Sequence, residues 1–423
     1  MQPLPGFRDF LPADCAARNY IFARWREVAR RYGFVEWDGP ALEPTDLYRK
    51  KSGEEIVKQL FNFTDKGDRE VALRPELTPT LARVVAKHDR EFRKPLKWFS
   101  IPQCFRYEKQ QRGRLREHFQ LNCDIIGESS AEADIELIAL CVDIFRAFGF
   151  TANDVVIRIS DREFWTDLLR NEGIPETRWD ELLQVIDKSE REPREKTAEK
   201  LGALSGPVFA VLDGKGENEK LRHIVTGLQN RGMGDFVKMD LGIVRGLAYY
   251  TGVVFEAFDR GEKMRALAGG GRYDNLIAQL SEGAVAMPAL GFAMGDVVLG
   301  DMIRDNGEAR AEMETSVKEE TRTDIFCVIA KEERRADALA QIQKLRERGH
   351  RVDYPLASAK VPKQFQAAEQ IGARIAILFG DEWPQVTVKN LMTGEQRLIS
   401  NTEILSDVMI MSTARGWTTY TSP

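Results

Sequence analysis

A change in hydrophobic pattern across residues 305–323 constrains the fold more than any other feature of the sequence. This stretch is charged and contains few large apolar side chains. After it, short apolar runs at 324–329 and 375–380 alternate with helix-forming stretches such as 332–348. Alternation of this kind is typical of a small α/β domain. The pattern therefore predicts a linker, followed by a C-terminal α/β domain over 323–423 with a mostly parallel sheet.

The part of the chain before this boundary follows a different pattern. The spacing of apolar residues predicts an amphipathic helix over 12–32, and strand-like runs such as 71–73 follow at wide intervals. Wide intervals do not fit repeated βαβ units, so we expect an antiparallel or mixed sheet. Charged helical stretches over 161–228 indicate a helical insertion. The predicted fold is thus an α+β domain formed by 1–160 and 229–312 and interrupted by this insertion.

Composition excludes several classes of protein. The 423 residues include 43% hydrophobic and 30% charged side chains, a balance typical of globular chains and not of disordered or collagen-like ones. The chain has no apolar window long enough to span a membrane, no signal-peptide pattern at its start and no Cys-x-x-Cys pair among five scattered cysteines. We therefore expect a cytoplasmic protein whose thiols are reduced and form neither a zinc site nor a disulfide framework, and we single out no metal-ligating residues. The net charge of −5 excludes a histone-like coat of DNA and leaves nucleic-acid binding to a local basic patch.

Such a patch lies within 105–120, which reads FRYEKQQRGRLREHFQ. Over 106–118 five basic and two acidic side chains give an excess of three positive charges, and two strand-like flanks enclose the loop. Guanidinium groups match phosphate oxygens in a bidentate geometry, so this hairpin suits ATP or the end of an RNA. From charge alone, a solvated hairpin without a ligand explains the segment equally well.

A second segment places a carboxylate and a hydroxyl around a turn bounded by prolines. Glu76 and Thr78 flank Leu77 there, between Pro75 and Pro79. The two polar groups could hold an ammonium group. The start of a helix gives the same pattern, since Thr and Pro are common at helix N-termini.

A third segment combines glycines with paired tyrosines. Tyr249 and Tyr250 stand in a glycine-containing run over 241–256, and three consecutive glycines occupy 269–271. Glycines allow a close backbone approach to a ligand, although a flexible turn also uses them. Adjacent tyrosines on a strand point to opposite faces, so we expect at most one of this pair in any given pocket.

Taken together, these segments resemble the histidyl-tRNA synthetases, a family of class II aminoacyl-tRNA synthetases. Five motifs carry the resemblance in order: FRDFLP at 7–12, PALE at 40–43, the basic hairpin at 105–120, RGLAYY at 245–250 and GRYD at 271–274. The resemblance spans essentially the whole chain. It implies a catalytic domain built on an antiparallel class II sheet with a helical insertion, followed by an α/β anticodon-binding domain.

The resemblance also implies an activity and a set of partners. The expected activity is that of a histidine–tRNA ligase, which forms histidyl-adenylate from ATP and histidine and then transfers histidine to the 3′ end of tRNA(His). Mg²⁺ would accompany the β- and γ-phosphates of ATP. Segment 40–43 looks like the motif that forms the dimer interface in this class, so a homodimer is expected, with no DNA or membrane partner.

Individual roles follow from the resemblance, residue by residue. Arg106 and Arg245 are the expected catalytic residues, because attack on a crowded α-phosphate requires positioned cations. The expected ATP contacts are Arg106, Glu108, Arg114, Arg245 and Arg272. The expected histidine contacts are Glu76, Leu77, Thr78 and Gln120, with Asp124, Tyr249 and Tyr250 around the imidazole. The expected contacts with the acceptor end of tRNA are Gln111, Arg112 and Arg116.

Two positions depart from the family pattern. Val298 stands where motif 3 carries an ATP-clamping arginine, and Ala248 stands where the family usually has Asp. These departures keep one alternative open, a synthetase-like regulatory subunit of ATP phosphoribosyltransferase that senses histidine without charging tRNA. The basic hairpin and the C-terminal domain argue against it. A synthetase for threonine, proline or glycine is disfavoured by the paired tyrosines and by GRYD.

Overall fold

A computed structural model describes residues 1–49, 58–109, 111, 113–244, 249–261, 264–406 and 408. The chain divides into two compact units, Met1–Thr315 and Ser316–Pro423. Three positions singled out in the sequence, Arg112, Arg245 and Ala248, lie outside the described residues. Over the part of the chain that is described, no helix combines the length and the apolar character needed to cross a membrane.

The first unit contains strands and helices of mixed length. The described strands are β1 (Val35–Glu36), β2 (Leu42–Pro44), β3 (Phe61–Thr64), β4 (Glu70–Leu73), β5 (Leu96–Ser100), β6 (Gln103–Phe105), β7 (Glu117–Ile126), β8 (Val155–Asp161), β9 (Val237–Met239), β10 (Val253–Asp259), β11 (Ala268–Arg272) and β12 (Ala289–Gly295). The described helices are α1 (Pro12–Arg31), α2 (Thr45–Arg49), α3 (Thr78–Lys87), α4 (Ala131–Arg146), α5 (Arg162–Asn171), α6 (Trp179–Asp187), α7 (Arg194–Leu201), α8 (Ser205–Ala210), α9 (Glu219–Asn230), α10 (Leu276–Leu280), α11 (Asp296–Asp305) and α12 (Gly307–Thr321), the last of which continues into the second unit.

A large mixed sheet forms the centre of this unit. Its strand order is β1-β5-β7-β12-β11-β10-β8-β9, and β6 pairs with β7 outside this path. All pairs from β5 to β8 are antiparallel, whereas the outer pairs β1–β5 and β8–β9 are parallel. A smaller antiparallel sheet has the order β2-β4-β3. The expectation of an antiparallel or mixed sheet is confirmed.

Helix α4 covers one face of the large sheet. It packs on β7 and β12, and α1 packs on α4. Each helix buries large apolar side chains, such as Trp25 on α1 and Phe145 on α4, which are fully buried. The predicted helix over 12–32 is confirmed as α1. Because α4 closes this face, a ligand that needs room above the sheet must use the other one.

The segment between β8 and β9 is helical where the structure describes it. It contains α5 to α9, whose buried side chains include Trp165, Leu169, Ile186 and Leu221. The helical character predicted for 161–228 agrees with these elements. Its status as a separate insertion within a domain of 1–160 and 229–312 stays a prediction.

The charged stretch at 305–323 is mostly helical instead of an extended linker. Helix α12 occupies Gly307–Thr321, and only Ala309 and Met313 of it are buried. Its Glu, Ala, Lys, Met and Arg residues are strong helix formers, so an exposed helix forms without a wide apolar face. Scarcity of apolar residues alone therefore does not distinguish a solvated helix from an irregular linker.

The second unit is a small α/β layer structure. It contains β13 (Ile325–Ile329), α13 (Arg335–Glu347), β14 (Val352–Asp353), α14 (Val361–Gln370), β15 (Ile375–Phe379), β16 (Gln385–Asn390) and β17 (Gln396–Ser400), in the sheet order β14-β13-β15-β16-β17. The prediction of a mostly parallel sheet is wrong for one half, because β16 and β17 pair antiparallel with their neighbours. The connection from β15 to β16 is too short for a crossover helix, so only a hairpin can join them.

Candidate active site

Strand β7 presents a polar row on the face of the sheet that α4 leaves open. Side chains alternate along a strand, so His118, Gln120, Asn122 and Asp124 share one face. The intervening Cys123 is fully buried and interacts with Cys141 of α4. Gln120 and Asp124, both predicted histidine contacts, are therefore brought onto the same face.

Small residues flank this polar row on the neighbouring strands. The cross-strand partners of Gln120, Asn122 and Asp124 on β12 are Gly295, Ala293 and Gly291. Directly opposite residues of an antiparallel pair project to the same face. A Cβ at Gly295 would meet no atom within 4 Å, so the sheet leaves open space beside Gln120. The register thus creates a shallow floor for a ligand next to two of the predicted contacts.

The three glycines at 269–271 form part of β11, a buried central strand, and the interpretation of a flexible turn is wrong. A Cβ at Gly270 would lie 2.3 Å from the Gly291 carbonyl oxygen, and one at Gly271 would lie 2.7 Å from the Val253 carbonyl oxygen. Neither position tolerates a side chain, since both contacts are with the backbone of a paired strand. Close strand packing, as well as space for a ligand, requires these glycines.

A buried carboxylate lies at the start of α3. Glu76 is 5% exposed, Leu77 is 1% exposed, and α3 begins at Thr78. The Tyr249 hydroxyl donates a hydrogen bond to Glu76 Oε2 at 3.0 Å, and Thr78 also hydrogen-bonds to that phenol. Burial, with the nearby Glu76 charge, raises the pKa of Tyr249, so the phenol stays protonated and donates. The segment is therefore a helix start that also contains a buried carboxylate, whose charge suits a cationic group.

A second buried carboxyl, that of Asp124, lies under Tyr273. The Tyr273 hydroxyl donates to Asp124 Oδ1 at 2.5 Å. Burial raises the pKa of Asp124 to about 7, and the hydrogen bond from Tyr273 opposes that increase. A Cβ at Gly291 would lie 1.9 Å from Asp124 Oδ1, so any other residue there would displace the carboxyl. Asp124 can therefore accept or donate a hydrogen bond near neutral pH.

Three tyrosines form one aromatic wall beside these carboxyls. The ring of Tyr249 lies 5.1 Å from that of Tyr250 and 6.1 Å from that of Tyr273, and all three side chains are buried. The expectation that the adjacent pair faces opposite sides is wrong, because Tyr249 and Tyr250 precede β10 and do not belong to a strand. Tyr273 is a site residue that the sequence analysis missed, although the GRYD motif contains it.

The basic hairpin follows β6 and leads into β7. Arg106 Nε donates to the Pro75 carbonyl oxygen at 2.9 Å, which brings this arginine next to the Glu76 turn. Glu108 pairs with Arg114, and the Arg116 guanidinium lies 4.3 Å from the centre of the exposed Tyr107 ring. Gln111 is exposed at the hairpin tip. The predicted ATP contacts Arg106, Glu108 and Arg114 thus belong to one local group.

His118 is a further residue of this group that sequence reasoning did not single out. Burial, together with the charges of Arg106, Arg8 and Arg114, lowers the pKa of His118 to about 3. The imidazole is therefore neutral at physiological pH. Arg8 itself pairs with Glu117 at 2.7 Å and with Asp296 at 2.9 Å, and so ties the base of the hairpin to the start of α11.

Arg272 lies away from this group. Its side chain is on the face covered by α4, where it forms a buried ion pair with Asp134 at 2.6 Å and donates to the Glu128 and Ser130 carbonyl oxygens. The neighbouring Gly271 lies on the opposite face, in register with Gly291. The assignment of Arg272 to ATP stays a prediction, which this placement disfavours.

Val298 packs beneath the tip of the hairpin. It lies on α11, and a Cβ added to Gly113 would be 3.2 Å from Val298 Cγ2. An apolar side chain thus stands at the position where the resemblance to the family leads us to expect a guanidinium. The described part of the site draws its positive charge from the hairpin and not from α11.

The arrangement suits a small zwitterion with a polar ring together with a polyanion. Gln120 Oε1 is buried and has no hydrogen-bond partner among the described residues, which is unusual for a buried acceptor and fits a ligand ammonium group. Glu76 adds the negative charge that such a group requires. Arg106 and Arg114 supply cations for phosphate oxygens.

Comparisons with known proteins agree with this chemistry. The family model for histidyl-tRNA synthetase matches residues 6–296, and an anticodon-binding domain model matches 324–408. A histidine–tRNA ligase of Opitutus terrae is 43% identical over 416 residues, covering 92% of each chain. The chloroplastic/mitochondrial histidine–tRNA ligase of Arabidopsis thaliana is 39% identical over 94% of this chain and 84% of its own. The crystal structure of histidyl-tRNA synthetase from Nostoc sp. has the same fold, with a TM-score of 0.75, 23% identity and coverage of 97% of this chain and 99% of its own.

Proposed function

The chain belongs to the histidyl-tRNA synthetase family, and from this premise we propose how its residues divide the reaction. Its activity is histidine–tRNA ligation, which uses ATP as a substrate. The regulatory-subunit alternative is not favoured, because relatives aligned over most of their length are ligases.

In this proposal the substrate's α-amino group binds between Glu76, Thr78 and Gln120. The orphaned Gln120 Oε1 is the observation that supports it most directly, since an ammonium group supplies the missing donor. Glu76 is held by the Tyr249 hydroxyl, so its carboxylate is fixed before the substrate arrives. Leu77 contributes a buried apolar side chain that anchors this turn.

The imidazole binds between Asp124 and Tyr250, with Tyr249 alongside. Buried polar groups at both ring nitrogens discriminate strongly against side chains that lack them, because an unmatched partner would leave those groups without hydrogen bonds. Tyr273 holds one oxygen of Asp124 and leaves the other for the ring. The pairing of a buried Asp with a tyrosine wall supports selection of histidine over aliphatic amino acids.

Activation of the carboxylate depends on cations around the α-phosphate. We assign this to Arg106 and Arg245, with the second assignment resting on the family resemblance. Glu108 and Arg114 hold ATP from the hairpin. Arg272 acts indirectly, by fixing β11 against α4 through its buried pair with Asp134. No general base is required, since the attacking carboxylate is already ionised.

Mg²⁺ is proposed to accompany the β- and γ-phosphates, where it neutralises charge. Among the described residues no cluster of three or more potential metal ligands is present, and the Glu108 carboxylate on the hairpin is paired with Arg114, so the ion would take most of its hard oxygen ligands from the substrate phosphates.

The second half-reaction and the assembly complete the proposal. Gln111, Arg112 and Arg116 contact the acceptor end of tRNA(His). The second unit binds the anticodon of the same tRNA, and its residues 324–408 match the anticodon-binding family.

Exposed Leu42 and Phe63 on the small β2-β4-β3 sheet support a homodimer through segment 40–43. The five free cysteines support a reducing compartment, which we take to be the cytoplasm.

Histidine-dependent ATP–pyrophosphate exchange tests this proposal. We expect exchange with histidine and none with threonine, proline or glycine at the same concentration, because only histidine satisfies Asp124 and Tyr250 together. Exchange would also establish that Val298 is compatible with activation. Measurable histidine binding without exchange would instead support the regulatory subunit.

A further inference from the structure

Two described residues at the tip of the basic hairpin, Gln111 and Arg114, are joined by backbone hydrogen bonds. Gln111 N–H donates to the Arg114 carbonyl oxygen at 3.2 Å, and Arg114 N–H donates to the Gln111 carbonyl oxygen at 2.9 Å. Gly113 has a φ of +72°, a conformation that glycine adopts without strain. These reciprocal hydrogen bonds hold the backbone at Gln111, whose side chain is exposed.

Two distant elements contact this tip. Val298 of α11 lies beneath Gly113. Arg265, in the connection between β10 and β11, donates a hydrogen bond from its guanidinium to Gln111 Oε1, although 154 positions separate the two residues. The hairpin is thus docked on one side by an apolar contact and on the other by a charge-assisted hydrogen bond.

The contact with Arg265 determines which way the Gln111 amide faces. Its oxygen is engaged by the guanidinium, so the two N–H donors of the amide remain for a partner. Those donors match acceptor atoms such as the ring nitrogens and carbonyl oxygens on the edges of nucleobases. A side chain with its amide rotated by 180° would present the opposite pattern.

The guanidinium of Arg265 also retains binding capacity. Its side chain is exposed, and among the described residues it takes part in no ion pair. A guanidinium has five N–H donors arranged as a planar fork, so engaging Gln111 leaves donors for a phosphate.

We infer that Arg265 and Gln111 form a single contact surface for the acceptor end of tRNA, in which Arg265 binds a backbone phosphate and positions the Gln111 amide toward a base acceptor. This inference rests on the proposed acceptor role of the hairpin and adds a residue from outside it. Phosphate binding supplies affinity, whereas the oriented amide supplies discrimination between bases. Neither function is needed for the formation of histidyl-adenylate.

The test compares Arg265→Ala, Arg265→Lys and Gln111→Ala with wild type, in exchange and in aminoacylation of both full tRNA and an acceptor-stem minihelix. For Arg265→Ala we expect kcat/KM for either RNA to fall roughly tenfold while exchange stays unchanged, since the lost hydrogen bonds are charge-assisted. The slope of log kcat/KM against log salt should decrease in magnitude by about one, as for the loss of one phosphate contact. Lysine keeps the positive charge, so Arg265→Lys should restore the salt dependence of kcat/KM. It should not restore the enzyme's discrimination between bases of the minihelix.

Arg30→Ala is the matched control, because Arg30 is an exposed arginine of α1 and its loss changes the net charge equally. The Arg265→Ala/Gln111→Ala double variant should lose less than the product of the single losses, because both changes disrupt the same contact. An equal loss in Arg30→Ala, a loss confined to full tRNA, or a parallel loss in exchange would overturn the inference. Absence of histidine-dependent exchange in wild type would instead reject the proposed function.

Discussion

At the scale of single residues, burial determines the protonation of two side chains on the same face of β7. Burial raises the pKa of Asp124 to about 7, whereas burial and three neighbouring arginines lower the pKa of His118 to about 3. Asp124 thus changes charge within the physiological range, and His118 does not. The two groups lie on the same strand, yet their different surroundings make the carboxyl titrate near neutral pH and keep the imidazole neutral there.

Tyr273→Phe tests the positioning of Asp124. The hydrogen bond from Tyr273 opposes the raised pKa of Asp124, so its removal should move that pKa further upward. The ionised carboxylate is present above the pKa and is lost as pH falls through it. The decrease in KM for histidine as pH rises through about 7 in wild type should therefore occur at higher pH in the variant. At pH 7 we expect roughly a tenfold higher KM for histidine and an unchanged KM for ATP.

Free histidine titrates identically in the assays of wild type and Tyr273→Phe. Its contribution therefore cancels when the two profiles of KM against pH are compared. Tyr20→Phe serves as a control, because Tyr20 also buries a phenol but lies on α1. Superimposable profiles of KM against pH for wild type and Tyr273→Phe would show that the Asp124 contact does not position the substrate.

At the scale of elements, strand register brings the site together. Gly291 of β12 is paired with Asp124 of β7 and with Gly271 of β11, so the carboxyl lies over a row without side chains. A shift of one residue would turn Asp124 toward α4, where Cys123 now packs. The glycines therefore serve both the close approach of the strands and the placement of the carboxyl.

Gly291→Ala tests this arrangement. The added methyl group would fall 1.9 Å from Asp124 Oδ1, and β12 is held on both sides by paired strands, so the carboxyl must move. We expect kcat/KM for histidine in the exchange assay to fall at least roughly tenfold, because near-attack geometry is lost. The midpoint of thermal unfolding should also decrease, since overpacking costs about 1–3 kcal/mol.

Gly206→Ala provides the matched glycine substitution. It lies in α8, and its added methyl group would meet no atom within 4 Å, so we expect no loss of activity. Wild-type histidine kinetics in Gly291→Ala would contradict the proposed role of the glycine floor.

At the scale of the whole molecule, the chain contains two compact units with separate cores. The second unit has a core of its own, which includes Ile325, Cys327, Ile342 and Ile377. The residues of the candidate active site all belong to the first unit. The two half-reactions should therefore depend differently on the second unit.

Removal of the chain after Thr321, which retains α12, tests this division. We expect exchange to stay within about threefold of wild type, because the residues proposed to bind histidine and ATP remain. Aminoacylation kcat/KM should decrease by roughly two orders of magnitude, since anticodon contacts that contribute a few kcal/mol are lost. Full charging activity in the truncated protein would contradict anticodon binding by this unit, and loss of exchange would contradict the independence of the first.

Local sequence patterns were enough to predict much of this molecule. The helix over 12–32, the strands at 324–329 and 375–380 and the family motifs follow from apolar spacing and residue type, which act over a few neighbouring positions. The antiparallel β16 and β17 escaped prediction, because their pairing depends on a hairpin and not on a strong apolar run. The motif containing Tyr273 was visible, but its contact with Asp124 was not, since 149 positions separate the two residues.

The sequence by itself determined the family, the secondary structure of several elements and the kinds of side chain available for chemistry. Only the tertiary structure decided which of those side chains meet. It placed the Arg272 side chain against α4, although the adjacent Gly271 lies on the site face of the sheet. It also brought Arg265, from the connection between β10 and β11, into contact with Gln111 of the hairpin. The physical reason is that strand register and long-range packing select a face for each residue, and these depend on the whole folded core and not on neighbours in sequence.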